Sequence, residues 1–310
     1  MKISDILTSS KKAFPSIEIV PPLRGITKDE LLENIAPLME YSPRYINVTS
    51  HRDEYEYSER EDGSFTRRLV RNRINETTVC AAIMSRYDVE VVPHLICGGN
   101  SKEEIESKLD NLEFLGIENI VALRGDCLAG ERRFTPAEDG YSHASELVEG
   151  IRQYQGRSRR GRYFCIGVGG YPEKHFEAAN IETDIANLKK KVDAGADYII
   201  TQMFFDNNVY YDFVSRCRAV GIKVPIIPGL KPISTIKHLK TLPEAFSLDI
   251  PVELTEELTR ASESKEAIYR IGTEWCIEQC RDLIKNGVPA VHFYTMGRSE
   301  NVTRILSACF

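Results

Sequence analysis

No apolar run in the 310-residue sequence approaches the ~20 residues needed to cross a bilayer. The N-terminal stretch MKISDILTSSKKAF has no apolar h-region, so it does not read as a signal peptide. The expectation is a cytoplasmic chain with no membrane partner. Positive charge is not in excess: 40 Lys and Arg stand against 46 Asp and Glu, a net charge of −6. That balance argues against nucleic acid or another polyanion as partner. No G-x-G-x-x-G follows the first candidate strand, which counts against a dinucleotide-binding open sheet, and no Walker loop appears. None of the eight cysteines sits in a C-x-x-C pair, so a disulfide framework is not expected. Cys276 and Cys280 could share a helix face, but as metal ligands they would need two further partners that the neighbouring sequence does not supply. They read as buried helix cysteines, and no metal is expected. No linker or low-complexity tract divides the chain, so 1–310 reads as one domain.

What is present is a regular alternation. Short runs rich in Ile, Val and aromatics, bounded by Gly, Pro or Asp, occur at Ser16–Pro21, Arg44–Thr49, Glu90–Ile96, Asn119–Leu123, Arg162–Val168, Asp197–Gln202, Val224–Pro228 and Ala290–Tyr294. Helical patterns lie between them. Ser101 reads as an N-cap with Glu104 at the third helical position. Ile181, Ile185, Leu188 and Val192 form one apolar face that stops at Gly195. A further helix spans Lys265 to Lys285, with Asn286-Gly287 as its stop. Eight strand–helix repeats with near-continuous apolar strands predict a closed parallel (β/α)8 TIM barrel, an α/β fold covered on both faces. The charged stretch from His51 to Asn72 breaks the rhythm and reads as a long loop, either an active-site lid or a solvated insertion.

In such barrels chemistry sits at the carboxyl ends of the strands. In SIEIVPP, Glu18 lies between Ile17 and Ile19, where an ionised carboxylate needs a partner or a raised pKa. A raised pKa suits a general acid, and a structural pair with Arg or Lys is the competing reading. Strand four ends in VALRGD: Gly125 permits a tight turn and projects Asp126 over the mouth, in a turn-forming or a catalytic role. His94 stands near the mouth in VVPHLICGG, where a satisfied core histidine is the commoner outcome. In GVGGYPEKH, the paired glycines permit close ligand approach, with Tyr171 and His175 beside them. Asp184, Asn187 and Lys191 form a polar helix stripe, fit for a phosphate or ribose or for solvent alone. Gln202 ends strand six, followed by Phe204 and Phe205; strand eight ends in VHFYTMGR, with Tyr294 and Arg298 in reach. Together these groups suit a large, flat, polar-edged ligand such as a flavin or pterin.

The segments SIEIVPP, PHLICGG, ALRGD, GGYPEKH, KKKVDAGADYIITQMFFD, IIPGLKPIS and HFYTMGR stand in the order found in bacterial-type methylenetetrahydrofolate reductases, and the chain resembles that family over nearly its whole length. The resemblance implies an FAD-dependent barrel, without the regulatory domain of animal and fungal relatives. Such a barrel uses NADH or NADPH to reduce 5,10-methylenetetrahydrofolate to 5-methyltetrahydrofolate in one-carbon metabolism and methionine biosynthesis. It also implies a homo-oligomer. Glu18 matches the family's general acid, and Asp126 matches the carboxylate near flavin and pterin. Thr49, His94, Arg124, Gly125, Asp126, Tyr171, His175, Asp184, Asn187 and Lys191 match flavin-contacting positions. Gln202, His238 and Arg298 match substrate-binding positions, and His238 and Leu242 stand where some relatives carry Gln and Phe. The competing readings are another flavin barrel, such as a proline dehydrogenase, and a folate- or flavin-binding protein without catalysis. The ordered LRGD and YPE motifs speak against the first, and the retention of both Glu18 and Asp126 speaks against the second.

Overall fold

The period-two alternation of the strands decides what fills the centre of the molecule. In chain order the strands are β1 (Phe14–Ile19), β2 (Tyr45–Val48), β3 (Glu54–Glu59), β4 (Phe65–Val70), β5 (Glu90–Ile96), β6 (Asn119–Leu123), β7 (Cys165–Gly170), β8 (Tyr198–Met203), β9 (Ile226–Leu230) and β10 (Ala290–Tyr294). Eight of them close a parallel barrel in the order β1-β10-β9-β8-β7-β6-β5-β2, as expected from the sequence. This computed structural model describes all residues but 128–130, 132, 159 and 296–298, together with the side chains at 54 and 69.

Alternate residues divide between two cores. Phe14, Tyr45, Val92, Val121, Cys165, Tyr198, Ile200, Ile227 and Ala290 pack with one another inside the barrel. Their strand neighbours Ile17, Ile46, Val91, Ile120, Ile166, Ile199, Ile226 and Val291 pack outward under the helices. The N-terminal stretch, which in the sequence signified only the lack of a signal peptide, is a helix over Ile3–Ser9 whose Ile3, Ile6 and Leu7 join the inner core. Asn119 Oδ1 accepts the Ile3 N–H at 2.8 Å, so the helix is tied to the floor of the barrel. With the floor plugged by apolar groups, the polar members of the same inward rows are left at the carboxyl ends of the strands.

Helix boundaries follow the caps. Ser101 and Glu104 form the reciprocal capping box of the Lys102–Phe114 helix. The Ile181–Asp193 and Lys265–Lys285 helices stand where the apolar periodicity placed them, and Cys276 and Cys280 are buried on the latter. The 51–72 segment corrects its reading as a loop. β3 and β4 pair antiparallel through a turn at Gly63, whose φ is +76°, and the Asp53–Arg71 ion pair at 2.9 Å closes the base. Glu56 opposite Arg68 and Tyr57 opposite Arg67 supply cross-strand pairs, and Tyr55, Tyr57 and Phe65 fall on one solvent-exposed face of the ribbon. No helix among the described residues is long and apolar enough to cross a membrane.

Candidate active site

Glu18 points into the barrel mouth near the end of β1, its side chain 12% exposed. Asn47 of β2 lies beside it in register on one side and Tyr294 of β10 on the other. Two imidazoles face the carboxylate: His94 Nε2 is 3.7 Å and His292 Nε2 3.6 Å from Oε2. Ser16 Oγ, 2.9 Å from His292 Nδ1, fixes the His292 ring so that its other nitrogen addresses Glu18. Both Nε2 atoms are buried without a hydrogen-bond partner, as are both amide atoms of Asn47, which is 0% exposed. Polar atoms left unpaired in a buried cluster are costly in a resting protein and are what a ligand-binding centre retains.

This arrangement corrects the expectation for Glu18. Its neighbours are histidines, not Arg or Lys, and its pKa is lowered, not raised. Burial pushes the carboxyl up, but the His292 and His94 imidazoles, with His51 further off, outweigh it and hold the group below its ordinary value. Burial pushes His94 down to about 4. At neutral pH the resting site therefore holds a carboxylate beside a neutral His94. His94 is not the satisfied core histidine that its sequence context favoured, because its Nε2 is open toward Glu18.

A second group of residues lines the β5–β7 side. Gly125 takes φ +84° after β6, a left-handed turn that carries the chain across the mouth and leaves Asp126 exposed. Arg124 is ion-paired with Glu177 and lies 5.0 Å from the Phe134 ring centroid. Tyr171 packs edge-on against His175 at 4.8 Å, and the His175 N–H donates to Asp184 Oδ2 at 3.1 Å. Burial, with Asp184 and Asp126 adding, pushes the Tyr171 hydroxyl up to about 12. Lys191 donates to Gly169 O at 2.9 Å, and burial pushes its ammonium down to about 8. Asp184 and Lys191 thus turn inward, whereas Asn187 of the same stripe is exposed and accepts from Lys190. Thr49 Oγ1 is 2.9 Å from His51 Nε2. Arg52 lies along Gly98 and Gly99 with a buried, unpartnered Nη1.

The β8–β10 side completes the mouth. Gln202 Oε1 accepts its neighbouring Met203 N–H at 2.9 Å. Phe204 and Phe205 do not line the mouth: both are buried, Phe204 stacking on Tyr210 at 5.4 Å in the outer core. Tyr294 reaches across to donate to Thr201 O at 2.7 Å, and Thr295 Oγ1 donates to Glu18 O at 2.8 Å. His238 accepts from Ser234 N at 3.3 Å and borders a cavity of about 260 Å³ between the ends of β9 and β10. Arg298 lies outside the described residues. Asn47, Arg52, Lys231 and His292 are polar groups of this mouth that the motif reading passed over. His292 carried a usable signal, since it interrupts the apolar strand AVHFY much as Glu18 interrupts SIEIV.

The chain is 33% identical over 314 residues to the Arabidopsis thaliana protein named methylenetetrahydrofolate reductase (NADH) 1, covering 98% of this chain and 49% of that protein. It is 31% identical over 285 residues to the Escherichia coli 5,10-methylenetetrahydrofolate reductase, covering 92% of this chain and 86% of that protein. The chain therefore spans about half the length of the plant relative. In fold it resembles a solved Clostridium thermocellum protein at a TM-score of 0.64 and 13% identity, covering 99% of this chain and 97% of that one. That protein is described as uncharacterized and as binding two copies of 5-methyl-5,6,7,8-tetrahydrofolic acid. The family model for methylenetetrahydrofolate reductase matches residues 2–309, and the chain belongs to that family.

Proposed function

We propose that this barrel reduces 5,10-methylenetetrahydrofolate to 5-methyltetrahydrofolate with NADH or NADPH as donor and FAD as resident cofactor. The observation that carries the reading is Glu18 itself: an inward carboxylate ringed by Asn47, His94 and His292, with buried polar atoms that no described residue satisfies. The names of the relatives agree in substrate but divide between NADH and NADPH.

The β5–β7 side fits a flavin. Arg52 Nη1 is a buried donor without an acceptor among the described residues, and Lys191 is a half-buried cation; Gly169 faces the Leu123 and Tyr171 side chains, whereas Gly170 packs against Ile199 and Phe213 of the outer core. Arg124, Lys191, Asp184, Tyr171, His175 and Thr49 would hold the cofactor, with Gly125 setting its approach, Asp126 at its rim and Asn187 on its solvent side. When bound, the flavin supplies the hydride relay between donor and folate. Gln202 would hydrogen-bond the pterin, and His238 and Arg298 would hold the remainder of the substrate. Glu18 protonates the ring nitrogen that departs when the five-membered ring opens. Its low resting pKa means that it must gain its proton as ligand fills the mouth: excluding water strengthens the burial effect, and a hydrogen bond to the substrate nitrogen competes with the imidazoles.

The test is an absorption spectrum of the purified protein, followed by anaerobic addition of NADH and then methylenetetrahydrofolate. Flavin bands that bleach with NADH and return with the folate are the expected result. A protein that cannot be loaded with FAD overturns the reading.

A further inference from the structure

The cavity between the ends of β9 and β10 is lined by two donors, Lys231 and Asn301, that no described residue pairs. Lys231, the residue after β9, is 7% exposed and lines this cavity together with Tyr294, Thr295 and His238. No carboxylate lies within ion-pair distance of its ammonium among the described residues; the nearby Cys276 thiol is kept neutral by burial, and burial pushes the amine down to about 8. Asn301 lines the same cavity from the first turn of the Glu300–Cys309 helix. It is 5% exposed, and its Nδ2 is buried with no acceptor. A buried ammonium without a counter-charge is held against desolvation, which an anionic ligand would offset.

We propose that this cavity is an oxyanion-binding subsite, in which the Lys231 ammonium and the Asn301 side-chain amide grip a carboxylate or phosphate group. Three independent features converge on it. The unmet groups are both donors, which selects an acceptor. Their partners in the wall, Ser234, Thr235 and Thr295, are hydroxyl-bearing rather than acidic, so no built-in anion competes. The cavity is also bounded by the residues after β9, by Thr295 after β10 and by the first turn of the Glu300–Cys309 helix, whose dipole favours an anion. A volume of about 260 Å³ admits one acidic group with a short stem and not a whole dinucleotide.

The subsite has a direct line to the catalytic end. Tyr294 is the register partner of Glu18, and Thr295 donates to the Glu18 carbonyl, so a ligand anchored at Lys231 extends toward that carboxylate. This last step rests on the function proposed above; the binding itself does not. Two ligands of that reaction carry oxyanions, the acidic tail of the folate and the phosphates of the nicotinamide donor.

Calorimetric titration of the full chain with inorganic phosphate, and separately with glutarate, tests the proposal. The expected result is saturable binding of at least one anion by the native protein, at least tenfold weaker in Lys231→Met and weakened also in Asn301→Leu, with Lys231→Arg retaining it. Phosphate preference assigns the subsite to the donor, and glutarate preference assigns it to the folate tail. Lys231→Met removes an unpaired buried charge, so its melting temperature should not fall, and anion should raise the melting temperature of the native protein alone. Absence of binding by the native protein, or equal binding by Lys231→Met, overturns the subsite whatever reaction the barrel performs.

Discussion

Glu18 is pulled in two directions, and the balance sets what it can do. Burial favours the neutral acid, while the imidazoles of His292 and His94 favour the anion and prevail in the resting protein. Glu18→Gln should retain bound flavin and its bleaching by NADH but slow folate reduction by about 10²–10⁴-fold, the usual contribution of a positioned acid. Folate turnover at the native rate in that variant would remove Glu18 from the mechanism. His292→Asn takes away one of the two facing imidazoles and should raise the Glu18 pKa. An acid works only while protonated, so the high-pH limb of the folate half-reaction should move to higher pH in His292→Asn. A limb that stays in place would show that His292 serves packing and does not tune the acid.

Two elements separate the support of the site from the support of the barrel. At Gly229 on β9, a Cβ would lie 2.3 Å from Thr201 O and 2.6 Å from the Tyr294 ring, so only glycine lets Tyr294 cross to Thr201. Gly229→Ala should cost about 1–3 kcal/mol through overpacking and weaken folate turnover by displacing Tyr294 beside Glu18. An unchanged melting temperature would mean that the barrel yields there without strain. The β3–β4 hairpin is the opposite case. Apart from the side chains at 54 and 69, its residues are exposed or half-buried, and among the described residues its strands pair with each other alone. Replacing 54–70 with a short glycine-serine turn should shift the melting temperature by no more than about 2 °C, the equivalent of ~1 kcal/mol. A collapse in stability would show that the ribbon is part of the barrel's support.

Over the whole molecule the histidines make the fold acid-sensitive. Burial pushes His94 down to about 4, and burial with the nearby Arg124 pushes His175 down to about 4. Below pH 6.5 the unfolded chain takes protons that the folded one refuses, so stability is full above about 6.5 and is lost as pH falls toward 4. For His94 the shift corresponds to roughly 3 kcal/mol as an upper bound. Glu173, raised to about 7 chiefly by burial, acts in the opposite sense and gives up stability as pH rises from 4.5 to 7. Thermal melts across pH 4–7 should show a net fall toward acid, flattened in His94→Asn. A parallel fall in the variant would assign the acid sensitivity elsewhere.

The barrel was legible because each strand announces itself locally: apolar runs closed by Gly, Pro or Asp repeat eight times, and caps such as Ser101 with Glu104 mark the helices between. Glu18, Asp126, Gln202 and His94 could be singled out for a related reason, since a polar residue at a strand end or inside an apolar run stands out in one dimension. The hairpin was hidden because its period-two signal, Tyr55 and Tyr57 between glutamates, is short and sits in a strongly charged stretch. The sign of the Glu18 shift was hidden because its causes, His94 and His292, lie 76 and 274 residues away and meet it only when the barrel closes. The Lys231–Asn301 cavity is likewise a product of closure. Sequence alone determined the repeating units and the presence of buried polar groups, whose causes are local. Tertiary structure decided which charges face one another and which donors are left unmet, because distance and dielectric are set only when remote strands are brought side by side.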